Sequence, residues 1–113
     1  MNKELIIKRD ETRKKYKIHG MSPMYKRAKC AIYFTPANSL KHELAKAEVC
    51  YNLLKEKKHF ITEAKNRKNN LIRDVVCLDD ESIYEIETTK KRAERFKTDP
   101  ETEKITVVKL WEK

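Results

Sequence analysis

At 113 residues, with 39% hydrophobic residues, 40% charged residues and a net charge of +9, the chain has room for one domain with one modest core. Periodic apolar positions exclude a disordered tail, and three cysteines (Cys30, Cys50, Cys77) without a CxxC pair exclude a disulfide framework. The apolar run Leu5 to Ile7 is too short for a signal peptide or a membrane span, so a soluble, reducing, cytoplasmic setting is expected.

Residues 1–35 carry ten Lys/Arg in their first thirty positions against Glu4, Asp10 and Glu11. Gly20, Pro23 and Pro36 punctuate them, and they read as a basic N-terminal extension. Within it "CAIYF" (Cys30 to Phe34) is a short strand or an anchor on the domain. The first firm element is a helix from about Asn38 to Lys57, opened at Pro36 or Ser39 with Asn38 as a cap. Leu40, Leu44, Ala47, Tyr51 and Leu54 form a narrow apolar stripe on it, expected to face the core. Glu43 lies at the edge of that stripe.

Three strand-like stretches follow: His59 to Lys65, Leu71 to Leu78 and Ser82 to Thr88. A basic helix, Thr89 to Lys97, precedes the stop "TDP", and Ile105 to Trp111 closes the chain as a strand. The expected fold is α/β: one small domain over residues 36–113, helix–three strands–helix–strand, with a mixed four-stranded sheet flanked by helices. The absence of glutamine and the Lys/Glu-rich surface fit a thermophile or an AT-rich genome.

The strands carry acids where packing should rule. Asp74 stands between Ile72 and Val76, although Asp is poor in strands. Glu85 and Glu87 share a face of the next strand. A hairpin loop of two or four residues sets Asp74 opposite Glu85 or Glu87, and an odd loop separates the acids. United, they repel one another, and a divalent cation relieves the repulsion. Mg²⁺ or Mn²⁺ takes such oxygen ligands, with the Ile86 carbonyl as a further donor. The bland alternative is an acid-decorated strand face.

Two further basic blocks follow the N-terminal one: Lys65, Arg67, Lys68 and Arg73, then Lys90, Lys91, Arg92, Arg95 and Lys97. Such runs are usually a solvated surface, yet clustered Lys/Arg at a sequence pI near 9.5 is also the footprint of a nucleic-acid partner.

The element order from Asn38 to Lys113, with Asp74…Glu85-x-Glu87 on the second and third strands, resembles the PD-(D/E)xK, or restriction-endonuclease-like, nuclease superfamily. The resemblance implies a metal-dependent phosphodiesterase with DNA as partner. Asp74 matches the family Asp, Glu85 the next acid, and Glu43 the acid many members carry on the first helix. Asp74, Glu85 and Glu43 are then the metal ligands, and Glu63 is a weaker candidate. Arg73 replaces the Pro of the motif name. Glu87 stands where Lys is most common, so Lys90 or Lys91 would supply the cation.

The functional expectation is a Mg²⁺- or Mn²⁺-dependent deoxyribonuclease. Asp74, Glu85, Glu87 and Lys90 do the chemistry, and Lys65, Arg67, Lys68, Arg73, Lys91, Arg92 and Arg95 hold flanking phosphates. A homodimer would suit two-strand cleavage. The competing accounts are a basic binding module that keeps the fold without chemistry, and an RNA- or ribosome-associated protein with Tyr84 as its stacking residue. His42, His59 and the cysteines read as structural or surface groups, and Trp111 as core or a dimer contact.

Overall fold

A five-stranded mixed sheet organises the computed structural model, which describes residues 2–18 and 30–112. The strands are β1 (Tyr16–Ile18), β2 (Phe60–Asn66), β3 (Ile72–Cys77), β4 (Ile83–Glu87) and β5 (Ile105–Lys109). They lie in sequence order, antiparallel from β1 to β4, with β5 parallel to β4. The helices are α1 (Lys3–Lys14), α2 (Leu40–Lys55) and α3 (Lys90–Ala93), the last continued by a 3-10 turn, Glu94–Thr98. No helix among the described residues is long and apolar enough to cross a membrane.

The N-terminal region gives the sheet its fifth strand, where the sequence pattern predicts four. Asn2 caps α1 by accepting the Glu4 N–H at 2.8 Å. The helix escapes periodicity because its apolar residues are consecutive and two of them, Ile6 and Ile7, stay exposed. A polar latch fixes it instead. Arg9 donates from Nε to Asp79 Oδ1 at 2.8 Å and from Nη2 to Asp79 Oδ2 at 2.9 Å and Lys57 O at 3.0 Å. Such bidentate pairs are the strong class of charged hydrogen bond. β1 then sets Tyr16 into the core. Gly20 and Pro23 lie outside the described residues. The 30–34 segment is an anchor and not a strand: Cys30 N–H donates to Phe60 O, Tyr33 N–H to Thr62 Oγ1, and Thr62 Oγ1 to Ala31 O.

Helix α2 starts where Ser39 Oγ accepts the His42 N–H at 3.1 Å. Its orientation corrects the sequence reading. Leu40, Leu44, Tyr51 and Leu54 are exposed, whereas His42, Glu43, Ala45, Lys46, Cys50 and Leu53 are buried. Cys50 and Leu53 pack with Phe60, Val75 and Cys77, and Ala45 packs with Ile86 and Leu110. Full burial of a side chain such as Phe60 is worth about 1.5–3 kcal/mol. The other core cluster joins Tyr16, Ile61, Ala64, Val76, Leu78 and Ile83, with Ile105 against it.

Main-chain pairing fixes the β3–β4 register at Val75–Tyr84 and Val76–Ile83, which sets Asp74 opposite Glu85. This is the even register that unites the acids. The β2–β3 ladder pairs Thr62 with Val75 and Ala64 with Arg73 but skips Glu63 and Asp74 between them. Glu63 has φ 49°, a left-handed value that costs a non-glycine residue about 1–3 kcal/mol. The irregularity therefore adjoins Asp74.

Candidate active site

The two central strands part at the acids. Beyond Val75–Tyr84, side chains take over from the ladder. Asp74 N–H donates to Glu85 Oε1 at 2.7 Å, and Ile86 N–H donates to Asp74 Oδ2 at 2.8 Å. Each carboxylate thus occupies the gap it helps to open, and a main-chain donor fixes its orientation. The gap opens into a cavity of about 270 Å³ lined by Asp74, Glu85, Glu87, His42, Arg92 and Arg95 together with Ile72, Ile86, Thr88 and the Ala37–Ser39 turn.

Glu85 is 4% exposed. Burial first, and the Asp74 charge second, push its carboxyl up to about 8. The Asp74 N–H and the charges of Arg73 and Arg95 offset only part of that rise. Burial and the Asp74 charge both favour the protonated carboxyl, because a second negative charge beside Asp74 and away from water is costly. Asp74 is less enclosed, and His42 Nε2 lies 3.4 Å from its Oδ2. The hydrogen bond to Asp74 raises the His42 pKa, and burial works against it. His42 Nδ1 is buried without a hydrogen bond among the described residues, 3.9 Å from Glu43 Oε1.

Glu87 meets Arg95 Nη2 at 2.7 Å and lies 4.0 Å from Arg92 Nε. The Arg95 guanidinium also stacks over the Phe96 ring, 4.6 Å from its centroid. Both arginine side chains remain more than half exposed, at 65% and 57%. They stand at the mouth of the cavity, exposed to an incoming anion, and Thr89 starts α3 by accepting the Arg92 N–H.

The other residues singled out by sequence take other positions. Glu43 does not line the cavity: Oε2 meets Lys46 Nζ at 2.6 Å, and Oε1 accepts from Asn38 Nδ2 and the Thr35 N–H. Burial works to raise its pKa, but Lys46 and Asn38 together lower it. Glu63 pairs with the same fully buried Lys46 at 3.3 Å. Lys90 lines a separate cavity with Phe96, Val107 and Trp111, and among the described residues no lysine lines the acidic one. Lys91 is exposed on α3. Lys65 is the Cα partner of Ile72, a wall of the acidic cavity, and Arg67 and Lys68 are exposed at the adjoining turn.

Arg73 is the clearest departure from the sequence reading. It is 1% exposed, which leaves it no route to a phosphate. Its Nη1 and Nη2 donate to Asp99 at 2.7 Å each, and Nη2 donates to Glu101 at 3.0 Å. Burial would lower its pKa, but these two acids raise it overall. Nη1 also lies 3.6 Å from Glu85 Oε2, so Arg73 partly compensates the buried acid from behind.

His42 is the lining residue the sequence does not flag. The apolar stripe turns it away from the sheet, and only the true burial of the polar face brings it to Asp74.

Two carboxylate oxygens could meet a hard divalent cation. Asp74 Oδ1 has no partner among the described residues, and Glu85 Oε2 has only the distant Arg73 contact. Asp74 and Glu85 would hold the ion, with Glu43 withdrawn behind Lys46. Among the described residues no group of three or more His, Cys, Asp or Glu side chains is gathered as a ready metal cage. Two protein carboxylates plus water and phosphate are nevertheless a usual Mg²⁺ set. Comparison with protein-family models, curated proteins and solved structures finds no match to this chain.

Proposed function

We propose that this chain is a metal-dependent deoxyribonuclease acting at the split between β3 and β4. The observation that supports it best is the paired carboxylates Asp74 and Glu85, each oriented by a main-chain N–H, in a cavity whose mouth carries Arg92 and Arg95. Buried acids beneath exposed cations suit a phosphodiester, which needs anionic ligands for a metal and positive charge for its own oxygens.

A bound Mg²⁺ or Mn²⁺ supplies a Lewis acid for the phosphoryl oxygen and an acidified water. The chain's own residues do the rest. Asp74 and Glu85 would hold the ion, Glu85 as its ionised carboxylate. His42 steadies Asp74 through Oδ2. Arg92 and Arg95 hold the phosphate, with Glu87 and the Phe96 ring fixing the angle of Arg95. The half-buried Lys65 and the exposed Arg67, Lys68 and Lys91 bind the flanking backbone, which positions the strand without reading its sequence.

The second reading is a nucleic-acid-binding module without chemistry. It is favoured by the absence, among the described residues, of a lysine from the cavity lining and by the engagement of Glu87 with arginine. Labelled duplex, single-stranded, flap and four-way DNA incubated with Mg²⁺, Mn²⁺ or EDTA separates the two. The nuclease cleaves at least one form only with metal, and Asp74→Asn and Glu85→Gln abolish cleavage. Binding of DNA without cleavage in any metal establishes the module instead.

A further inference from the structure

The exposed stripe of α2 has a use that the cavity does not explain. Leu40, Leu44, Tyr51 and Leu54 are 74%, 59%, 62% and 47% exposed, and Ala47 between them is partly buried. Contiguous exposed apolar patches on a helix mark interaction surfaces. The spacing is 4, 3, 4, 3, which is the a/d pattern of a heptad repeat over two heptads. A helix that merely covers a sheet shows a broader apolar face, and α2 covers its sheet with a different one, on which His42, Glu43 and Lys46 stand among Ala45, Cys50 and Leu53. The narrow seam is the kind that another helix fits.

We propose that the occupant is α2 of a second copy, packed antiparallel about a two-fold axis. Such an interface brings the same patch together from both chains. Pairing Leu40 with the partner's Tyr51, and Leu44 with the partner's Ala47, gives four mixed layers with the small alanine allowing close approach near the axis. The flanks agree. One edge of the seam is Glu43 and Cys50, both buried in their own domain. The free edge reads Lys41, Glu48, Lys55, alternating in sign. In this register Glu48 comes beside the partner's Lys41, twice by symmetry, so charge as well as shape is self-complementary. The seam includes no cavity-lining residue, and the inference stands whether or not the protein cuts DNA.

Sedimentation velocity of the full chain from about 1 to about 200 µM tests it. Wild type should move from monomer to dimer within that range. Leu44→Glu, at an exposed position, should keep the wild-type circular dichroism spectrum and melt. It should raise the dimer dissociation constant at least about a hundredfold, because each dimer carries the change twice. Lys41→Glu should weaken the dimer, and Lys41→Glu with Glu48→Lys should restore it. A wild type that stays monomeric throughout, a Leu44→Glu chain that dimerises as well as wild type, or a charge swap without rescue would overturn the proposal.

Discussion

Glu85→Gln isolates the energetic strain in the site. Glutamine keeps an oxygen for the Asp74 N–H and removes the charge that burial and Asp74 oppose. The ordinary carboxyl pKa of 4.5 applies to the unfolded chain, and the folded value is about 8. Between those limits the native state holds a proton that the unfolded state has lost, so stability falls as pH rises. The slope approaches about 1.4 kcal/mol per pH unit, which sets a ceiling of about 5 kcal/mol across the whole window and about 3 kcal/mol between pH 5 and pH 7. Little solvent screening reduces it, because Glu85 is 4% exposed. The variant lacks this titration. In EDTA, urea unfolding should therefore find a stability gap in favour of Glu85→Gln that is small below pH 4.5, widens through pH 7 and levels above about pH 8. In thermal melts the gap should widen by roughly 4 °C per kcal/mol for a domain of this size. A gap that stays constant from pH 4.5 to pH 8 would refute the argument, because a carboxyl outside a strained pair gives no such slope.

Arg73→Met should cost about 3–5 kcal/mol in urea unfolding, since it strands Asp99 and Glu101 without their buried partner; a loss under about 1 kcal/mol would show that the pair is not structural. Arg95→Ala should weaken DNA binding at moderate salt and lower the slope of log K against log[salt] by about 0.9, the share of one phosphate contact, whereas an unchanged slope would remove Arg95 from the interface. Mg²⁺ should stabilise wild type by about 2.7 kcal/mol at a hundredfold excess over its Kd and leave Asp74→Asn nearly unmoved; an equal response of both proteins would place the ion elsewhere.

The acidic pair was legible in sequence because strand parity is a two-state question. Once Leu78 and Glu81 flank the turn, Asp74 falls opposite Glu85 and no intermediate register exists. Helix α2 shows the opposite situation. Its periodicity identified the helix but named the wrong face, because apolar character marks a surface to be covered without saying by what. The face that meets the sheet must match Glu63 and Asp74, and it does so with Lys46 and His42. Reading that face requires the partner strands in three dimensions. Helix α1 was illegible for a related reason: Arg9 and Asp79 are seventy residues apart, and an ion pair leaves no periodic trace. The fate of Arg73 likewise depends on acids that follow α3, which composition counts only as charge.

The central claim is that Asp74 and Glu85 together hold one divalent cation. Calorimetric titration of Mn²⁺ into the DNA-free protein at pH 7, repeated in two buffers of different ionisation enthalpy, tests it most directly. The expected result is one site per chain, binding coupled to release of close to one proton from the Glu85 carboxyl, and no detectable binding to Asp74→Asn. Absence of binding to wild type, or binding to Asp74→Asn with the same affinity and the same proton release, would contradict the claim.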